Sequence, residues 1–372
     1  MTCPWLSKLL TIASAASLLF ACGRPGEHPA PTAAFHPHFR LDSASKFLFN
    51  NFVDCNMAEA WIADTFRIFP GKYGEDTVWG TGADLKFASG RDPDSAFLTP
   101  ALAFIAPKLP PDAPIGAKGL HGAVWFETIY QDRTDASGKT LYAIYHNENY
   151  PENLPYDAQT GEGYKKENWP EGLRGPSSSA AVCRIGVMKS TDGGWKWENK
   201  GLFIQDLQPR LILKPQNNSK TFAGGNGDPS AVPSGDSLYL FYGEYGYPGV
   251  YDPKTYDPFK EQNGQCISVA RIALKDLDAP TGKALRWNGS AFAAAWDGVG
   301  APVTGLRLAR SEGGGPASSA KAGFFWGPSV SWNEYLDCWV MLMAKATGPS
   351  WTGSNIYISF NQHKNLGEGS NS

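Results

Sequence analysis

Apolar positions in this chain come in short runs closed by Gly, Pro, Asn and Asp, a pattern of strands and tight turns rather than of long helices. Three such patterns align with one another. The first runs His121-Gly122-Ala123-Val124-Trp125-Phe126, a polar turn at 134–139, then Leu141-Tyr142-Ala143-Ile144-Tyr145-His146-Asn147-Glu148. The second runs Gly227-Asp228-Pro229-Ser230-Ala231-Val232, a turn at 234–236, then Leu238-Tyr239-Leu240-Phe241-Tyr242-Gly243-Glu244-Tyr245. The third runs Trp326-Gly327-Pro328-Ser329-Val330-Ser331-Trp332, a turn at 333–335, then Cys338-Trp339-Val340-Met341-Leu342-Met343-Ala344-Lys345. Each is followed, after a loop, by a third apolar strand, at 182–188, 266–272 and 355–360. The openings recur at 121, 228 and 326, intervals that hold one four-stranded sheet and a long loop. Radial repetition of such sheets protects their edges, so the pattern predicts an all-β chain and a β-propeller, with a β-sandwich as the alternative.

Composition supports the all-β reading. The 372 residues include 41 Gly and 28 Pro, too many for long helices, while 13 Trp, 15 Tyr and 20 Phe exclude disorder. Basic and acidic residues number 33 and 36, a net charge of −3, and no long run of like charge offers a footprint for nucleic acid. A near-neutral surface rich in aromatic rings suits carbohydrate as the partner. Lys8 precedes an apolar run from Leu9 to Ala21 that is too short to span a bilayer, which reads as a secretory signal over 1–21. Its end, Leu19-Phe20-Ala21-Cys22-Gly23, resembles the lipobox of bacterial lipoproteins, so Cys22 is the expected lipidation site. Lipid-anchored placement in the cell envelope is then expected, at the outer membrane, with secretion as the alternative. Residues 22–40 read as a Pro-rich tether and 41–372 as the folded domain, a monomer that meets a membrane only through Cys22. Cys55, Cys183, Cys266 and Cys338 lie too far apart for a metal motif; they either pair in an oxidising compartment or fill strands as small apolar groups.

The segment Ser190-Thr191-Asp192-Gly193-Gly194-Trp195-Lys196-Trp197 matches Ser-x-Asp-x-Gly-x-x-Trp and resembles the Asp-box hairpin of sialidases and other propellers. The resemblance implies structural roles for Ser190, Asp192, Gly194 and Trp197. The openings at 227–232 and 326–330 are similar to those of the five-bladed propeller glycosidases, the family-43 arabinanases and xylosidases and the invertase-like families. That resemblance covers about residues 120 to 366 and implies a five-bladed propeller with an axial site. Blades are expected at roughly 41–120, 121–205, 206–296 and 297–372; the fifth closes with N-terminal strands or is incomplete at the C-terminus.

In a tight antiparallel hairpin the start of one strand lies beside the end of the next. If the first strand of each blade is innermost, ionisable groups gather at one axial mouth: His121 with His146 and Glu148, Asp228 with Glu244, and Trp326 with Lys345. The segment from Asn56 to Arg67 is the matching part of the first blade and offers Glu59, Asp64 and Arg67. Phe66-Arg67-Ile68, then Phe69-Pro70, also resembles the Phe-Arg-Ile-Pro signature of sialidases, in which the Arg binds a carboxylate. Glycoside hydrolysis needs two carboxyl groups, one protonated and one ionised. Asp228 is the residue the resemblance selects; Glu148, Glu244, Glu59 and Asp64 are the other candidates, with Tyr245, Tyr247 and Trp326 as stacking rings. The Glu-Gly-Pro acid motif of the family has no counterpart, so three functions stay open: a glycoside hydrolase, a propeller that binds glycan or protein without cleaving, and a sialidase-like hydrolase. No cofactor motif is present, two separated histidines make no metal motif, and a cation at the axis is left open.

Overall fold

The computed structural model describes residues 56–69, 72–73, 85–96, 100–103, 123–149, 181–205, 222–244, 266–296, 298–303, 323–347 and 356–366. They are almost all β. The first sheet has the order β1-β2-β4-β5, from β1 (Glu59–Ile62), β2 (Thr65–Ile68), β4 (Leu85–Gly90) and β5 (Pro100–Ala103); a single short helix, α1 (Pro93–Ala96), follows β4. The intervening strand β3 (Lys72–Tyr73) instead joins the second sheet, beside β6 (Ala123–Gln131). That sheet continues through β7 (Leu141–Asn149), β8 (Ala181–Ser190) and β9 (Glu198–Ile204). The third comprises β10 (Phe222–Ser234), β11 (Ser237–Glu244), β12 (Cys266–Ala273), β13 (Leu285–Trp287) and β14 (Phe292–Ala294). The fourth is β15 (Gly323–Asn333), β16 (Cys338–Thr347) and β17 (Ile356–Asn361).

The second strand of each meander explains the architecture. β7 sends Leu141, Ala143 and Tyr145 into a core shared with Ile62, Phe69 and Phe87 of the first sheet. Its alternate residues Tyr142 and Ile144 enter a different core, with Leu238, Leu240 and Tyr242 of β11. Tyr239 and Phe241 of β11 in turn face Trp339 and Met341 of β16. A strand buried on both faces must be apolar at every position, which is why these strands read as continuous hydrophobic runs. The cores thus lie between successive sheets, the packing of a β-propeller. Among the described residues the sequence of packed faces ends at Trp61, on the first sheet, and at Leu342 and Ile356, on the fourth; all three side chains are exposed.

The inner strands carry a repeat of their own. Register slips by one extra residue on the inner strand between Phe126 and Thr128, between Gly227 and Ser230, and between Trp326 and Ser329. Each β-bulge is followed by a hydroxyl residue: Thr128, Ser230 and Ser329. In the first sheet the ladder extends back to Ala58, whose carbonyl accepts the Phe69 N–H at 2.9 Å. Ala58, Ser230 and Ser329 each stand four residues before the last pair of their hairpin (Ile62 with Thr65, Ser234 with Ser237, Asn333 with Cys338), so Asn56-Met57 takes the place of Asp228-Pro229 and Gly327-Pro328. The hydroxyls tie blade to blade. Thr128 Oγ1 accepts the Ala231 N–H at 3.1 Å and Ser230 Oγ accepts the Val330 N–H at 2.9 Å.

Near the axis the second and third sheets also fuse, through a short parallel pairing of Phe222–Gly225 with Ala181–Cys183. Gly225 has φ +95°, and a Cβ there would sit 2.1 Å from the Cys183 carbonyl oxygen, so no other residue fits. At the outer rim, the 190–197 hairpin is tied by its own side chains. Asp192 Oδ1 accepts the N–H groups of Trp195 and Lys196, both at 3.0 Å, and Ser190 Oγ accepts that of Gly194 at 2.8 Å. Trp197 packs edge-on against Phe69 of the first blade and Phe126 of the second.

Candidate functional site

The inner-strand bulges converge at the axis and turn Glu127, Asp228, and the Pro229 and Pro328 carbonyls toward one another. His146 completes the group from β7, directly opposite Trp125, whose ring centroid lies 5.5 Å from the imidazole. His146 Nδ1 is 3.6 Å from Glu127 Oε1 and 3.5 Å from Asp228 Oδ1. The same nitrogen is 3.4 Å from the Asp228 main-chain N. A neutral imidazole therefore accepts the Asp228 N–H, whereas a protonated one offers Nδ1–H to the two carboxylates. Asp228 has φ +45°, a left-handed backbone that a bulge imposes and a β-carbon resists.

Burial divides the two acids. The Glu127 side chain is fully sealed, at 0% exposure, while that of Asp228 keeps 14%. Burial pushes the Glu127 carboxyl up to about 7; Asp228 adds to the rise, and His146 and the Asn56 N–H oppose it. Burial alone would lower the His146 imidazole, but Cys183, Asp228 and Glu127 outweigh it and hold the group well above its ordinary value. Near neutral pH the cluster thus keeps a proton that free side chains would release. One donor atom from each of Glu127, His146 and Asp228 lies within 4.8 Å of the others, a set of oxygen and nitrogen donors that could hold a divalent cation in competition with that proton.

Asp228 and His146 meet at this site, and Glu127 is the residue that sequence reasoning missed. Aligning the first repeat on His121 offsets it by four residues, since Trp125 is the true partner of Gly227 and Trp326. An acidic residue inside the apolar run Ala123–Phe126 and Ile129–Tyr130 was the available signal. Glu148 stands on β7 opposite Ala123 and Cys183, two residues beyond His146. The side chain of Glu148, and His121, Tyr245, Tyr247, Cys22 and Cys55, lie outside the described residues.

Glu244, Arg67 and Asp64 are placed elsewhere. Glu244 does end β11 beside Asn226, but it is 1% exposed and saturated: Asn226 Nδ2 and the Gly300 N–H each donate to it at 2.8 Å, and Arg286 pairs with it at 3.2 Å. Arg286 further donates to the carbonyls of Gln205, Trp296 and Gly298. This network ties the third blade to the end of the second and leaves Glu244 no contact with solvent. Arg67 is at the rim, donating to the Gly193 carbonyl and lying over the Phe87 and Trp195 rings at 5.0 and 5.4 Å. Asp64 is exposed in the β1–β2 turn and Glu59 is exposed at the head of β1. Lys345 stands opposite Phe325 with its ammonium 5.7 Å over the Tyr357 ring, and Trp326 opposite Ala344. Cys183, Cys266 and Cys338 are buried.

No protein-family model matches the chain, and no curated protein matches it. Solved structures similar to it include the family-43 endo-arabinanase of Bacillus licheniformis, at 12% identity over 86% of this chain and 74% of that one, with a TM-score of 0.39. An exo-1,5-α-L-arabinanase from a bovine ruminal metagenomic library is 13% identical over 82% and 91%, with a TM-score of 0.30. A family-43 enzyme from Xanthomonas citri, complexed with xylotriose, is 12% identical over 82% and 72%, with a TM-score of 0.34.

Proposed function

We propose that the chain is a glycoside hydrolase-type propeller, exported and held in the cell envelope through Cys22, that acts on oligo- or polysaccharide at its axial mouth. The observation that supports this reading is the grouping around one imidazole, where the inner-strand bulges converge, of the partly exposed Asp228 carboxyl group with the sealed one of Glu127. Acid–base cleavage of a glycosidic bond requires two carboxyl groups flanking the scissile bond. Asp228 is the group that meets the substrate, and Glu127 with His146 stores the proton behind it. Glu127 is sealed and cannot flank the scissile bond itself. Glu59, exposed at the head of β1, and Glu148, at the end of β7, are the candidates left for the second reacting carboxyl. Trp326 supplies a ring at the mouth against which a sugar can stack.

One feature favours a second reading, a propeller that binds glycan without cleaving it. The position equivalent to Asp228 in the first blade is Asn56, a carboxamide that neither takes up nor releases a proton. The test is turnover of aryl glycosides and of arabinan- and xylan-derived oligosaccharides by the full chain, with calorimetric binding in parallel. Loss of turnover in Asp228→Asn, by about 100-fold or more, with binding retained, supports the hydrolase. Binding without turnover in the unaltered chain supports the second reading, and neither binding nor turnover removes both.

A further inference from the structure

Asn56 bonds to all three of the other described blades. Its main-chain N–H donates to Glu127 Oε2 at 2.8 Å. Its side-chain Nδ2 donates to the Pro229 carbonyl at 3.2 Å and to the Pro328 carbonyl at 3.0 Å. The three acceptors belong to three successive inner-strand bulges, and Asn56 itself holds the matching place ahead of β1 in the first blade. A β-bulge leaves its extra residue outside the ladder, so these carbonyls are open to a donor from another blade. A carboxamide nitrogen carries two N–H groups and can serve both at once, which an ionised Asp cannot do at all and a Ser or Thr hydroxyl can do only singly.

We infer that Asn56 is a positioning residue, a clasp at the axis that sets where Asp228 and Glu127 stand relative to His146. The inference rests on the reading of Asp228 as the reacting carboxylate and adds to it how that carboxylate is held. The carbonyl that Asn56 grips is that of Pro229, one residue on from Asp228, so the same bond that joins the blades also holds the backbone that carries the Asp228 side chain. Its backbone N–H simultaneously orients the sealed Glu127 carboxyl, leaving Oε1 turned to the imidazole. Asn56 need not touch the substrate to do this.

The experiment compares full-length protein with Asn56→Asp and Asn56→Ala. Asn56→Asp keeps the shape, replaces a double donor by an acceptor facing two carbonyls, and adds charge; Asn56→Ala removes the grip alone. Both are expected to melt cooperatively, to lose about 10- to 100-fold in kcat with KM changed by less than about threefold, and to shift the imidazole NMR signals of His146 at a fixed pH. Those signals are assigned by their disappearance in His146→Gln. Unchanged kcat and unchanged His146 signals overturn the inference, as does loss of cooperative melting in both variants, which would make Asn56 a folding residue only. If the unaltered protein turns over no glycoside, the hydrolase reading fails, while the His146 signals still decide whether Asn56 positions the cluster.

Discussion

At the scale of single residues, the same chemical type serves opposite ends according to what surrounds it. Glu127 and Glu244 are both buried glutamates near the axis. Glu244 pairs with Arg286 and accepts from Asn226 and the Gly300 N–H, so it is structural. Truncating one side of such a pair strands the other charge, and Glu244→Ala is expected to cost about 3–5 kcal/mol in urea denaturation. Glu127 has an imidazole rather than a guanidinium beside it, and burial raises its carboxyl to about 7. A folded-state value above the unfolded one means that the native protein binds the extra proton. Stability should then fall as pH rises from about 4.5 through about 7, by up to about 3 kcal/mol for this group. The raised His146 imidazole acts in the same direction above its own ordinary value. Glu127→Gln should flatten the dependence of the melting temperature on pH across that window; an unchanged slope would place the titrating group elsewhere. Glu127 was hard to see in the sequence because a carboxylate within an apolar strand has no local marker of being sealed.

At the scale of elements, turn chemistry and strand pattern were legible and register was not. The Ser190–Trp197 turn could be read because its bonds are local, between residues at most four apart. The second strands could be read because burial on both faces leaves a run of apolar residues. The bulges could not, since one extra residue in an inner strand shows only when its partner strand is paired to it. Asp228 and Glu244 stand near the same end of their hairpin, whereas alignment on His121 sets the first repeat four residues early. Gly225 illustrates the dependence on a distant strand: Cys183 is remote in sequence yet leaves no room for a Cβ. Gly225→Ala should cost about 3 kcal/mol, from left-handed strain and overpacking together, and is measured by chemical denaturation. A loss below about 0.5 kcal/mol would mean that the β8–β10 seam is not rigid.

At the scale of the whole molecule, the blades are held by apolar cores between sheets and by a repeating hydroxyl bond at the axis. Thr128 and Ser230 each satisfy a main-chain N–H of the next blade. Ser329 holds the equivalent place in the fourth blade and is exposed. Thr128→Val and Ser230→Ala should each cost about 1–3 kcal/mol, because an N–H near the axis loses its acceptor. Ser329→Ala should remain within about 0.5 kcal/mol. Equal losses at all three positions, measured by thermal denaturation, would deny the blade-to-blade role of the hydroxyls.

The sequence by itself determined the all-β class, the meander of each blade and the presence of Asp228 and His146 among the ionisable groups at strand ends. These follow from periodicity, turn residues and the energetic oddity of charge at the end of an apolar strand, all of which are local. The tertiary structure alone decided that Glu127 faces Asp228 across His146, that Glu244 is neutralised by Arg286, that Arg67 sits at the rim, and that Asn56 joins three bulges. Each of these depends on which residues from separate blades meet at the axis. That meeting is set by one-residue slips in register, and a slip of one residue exchanges the faces of a strand without changing its composition.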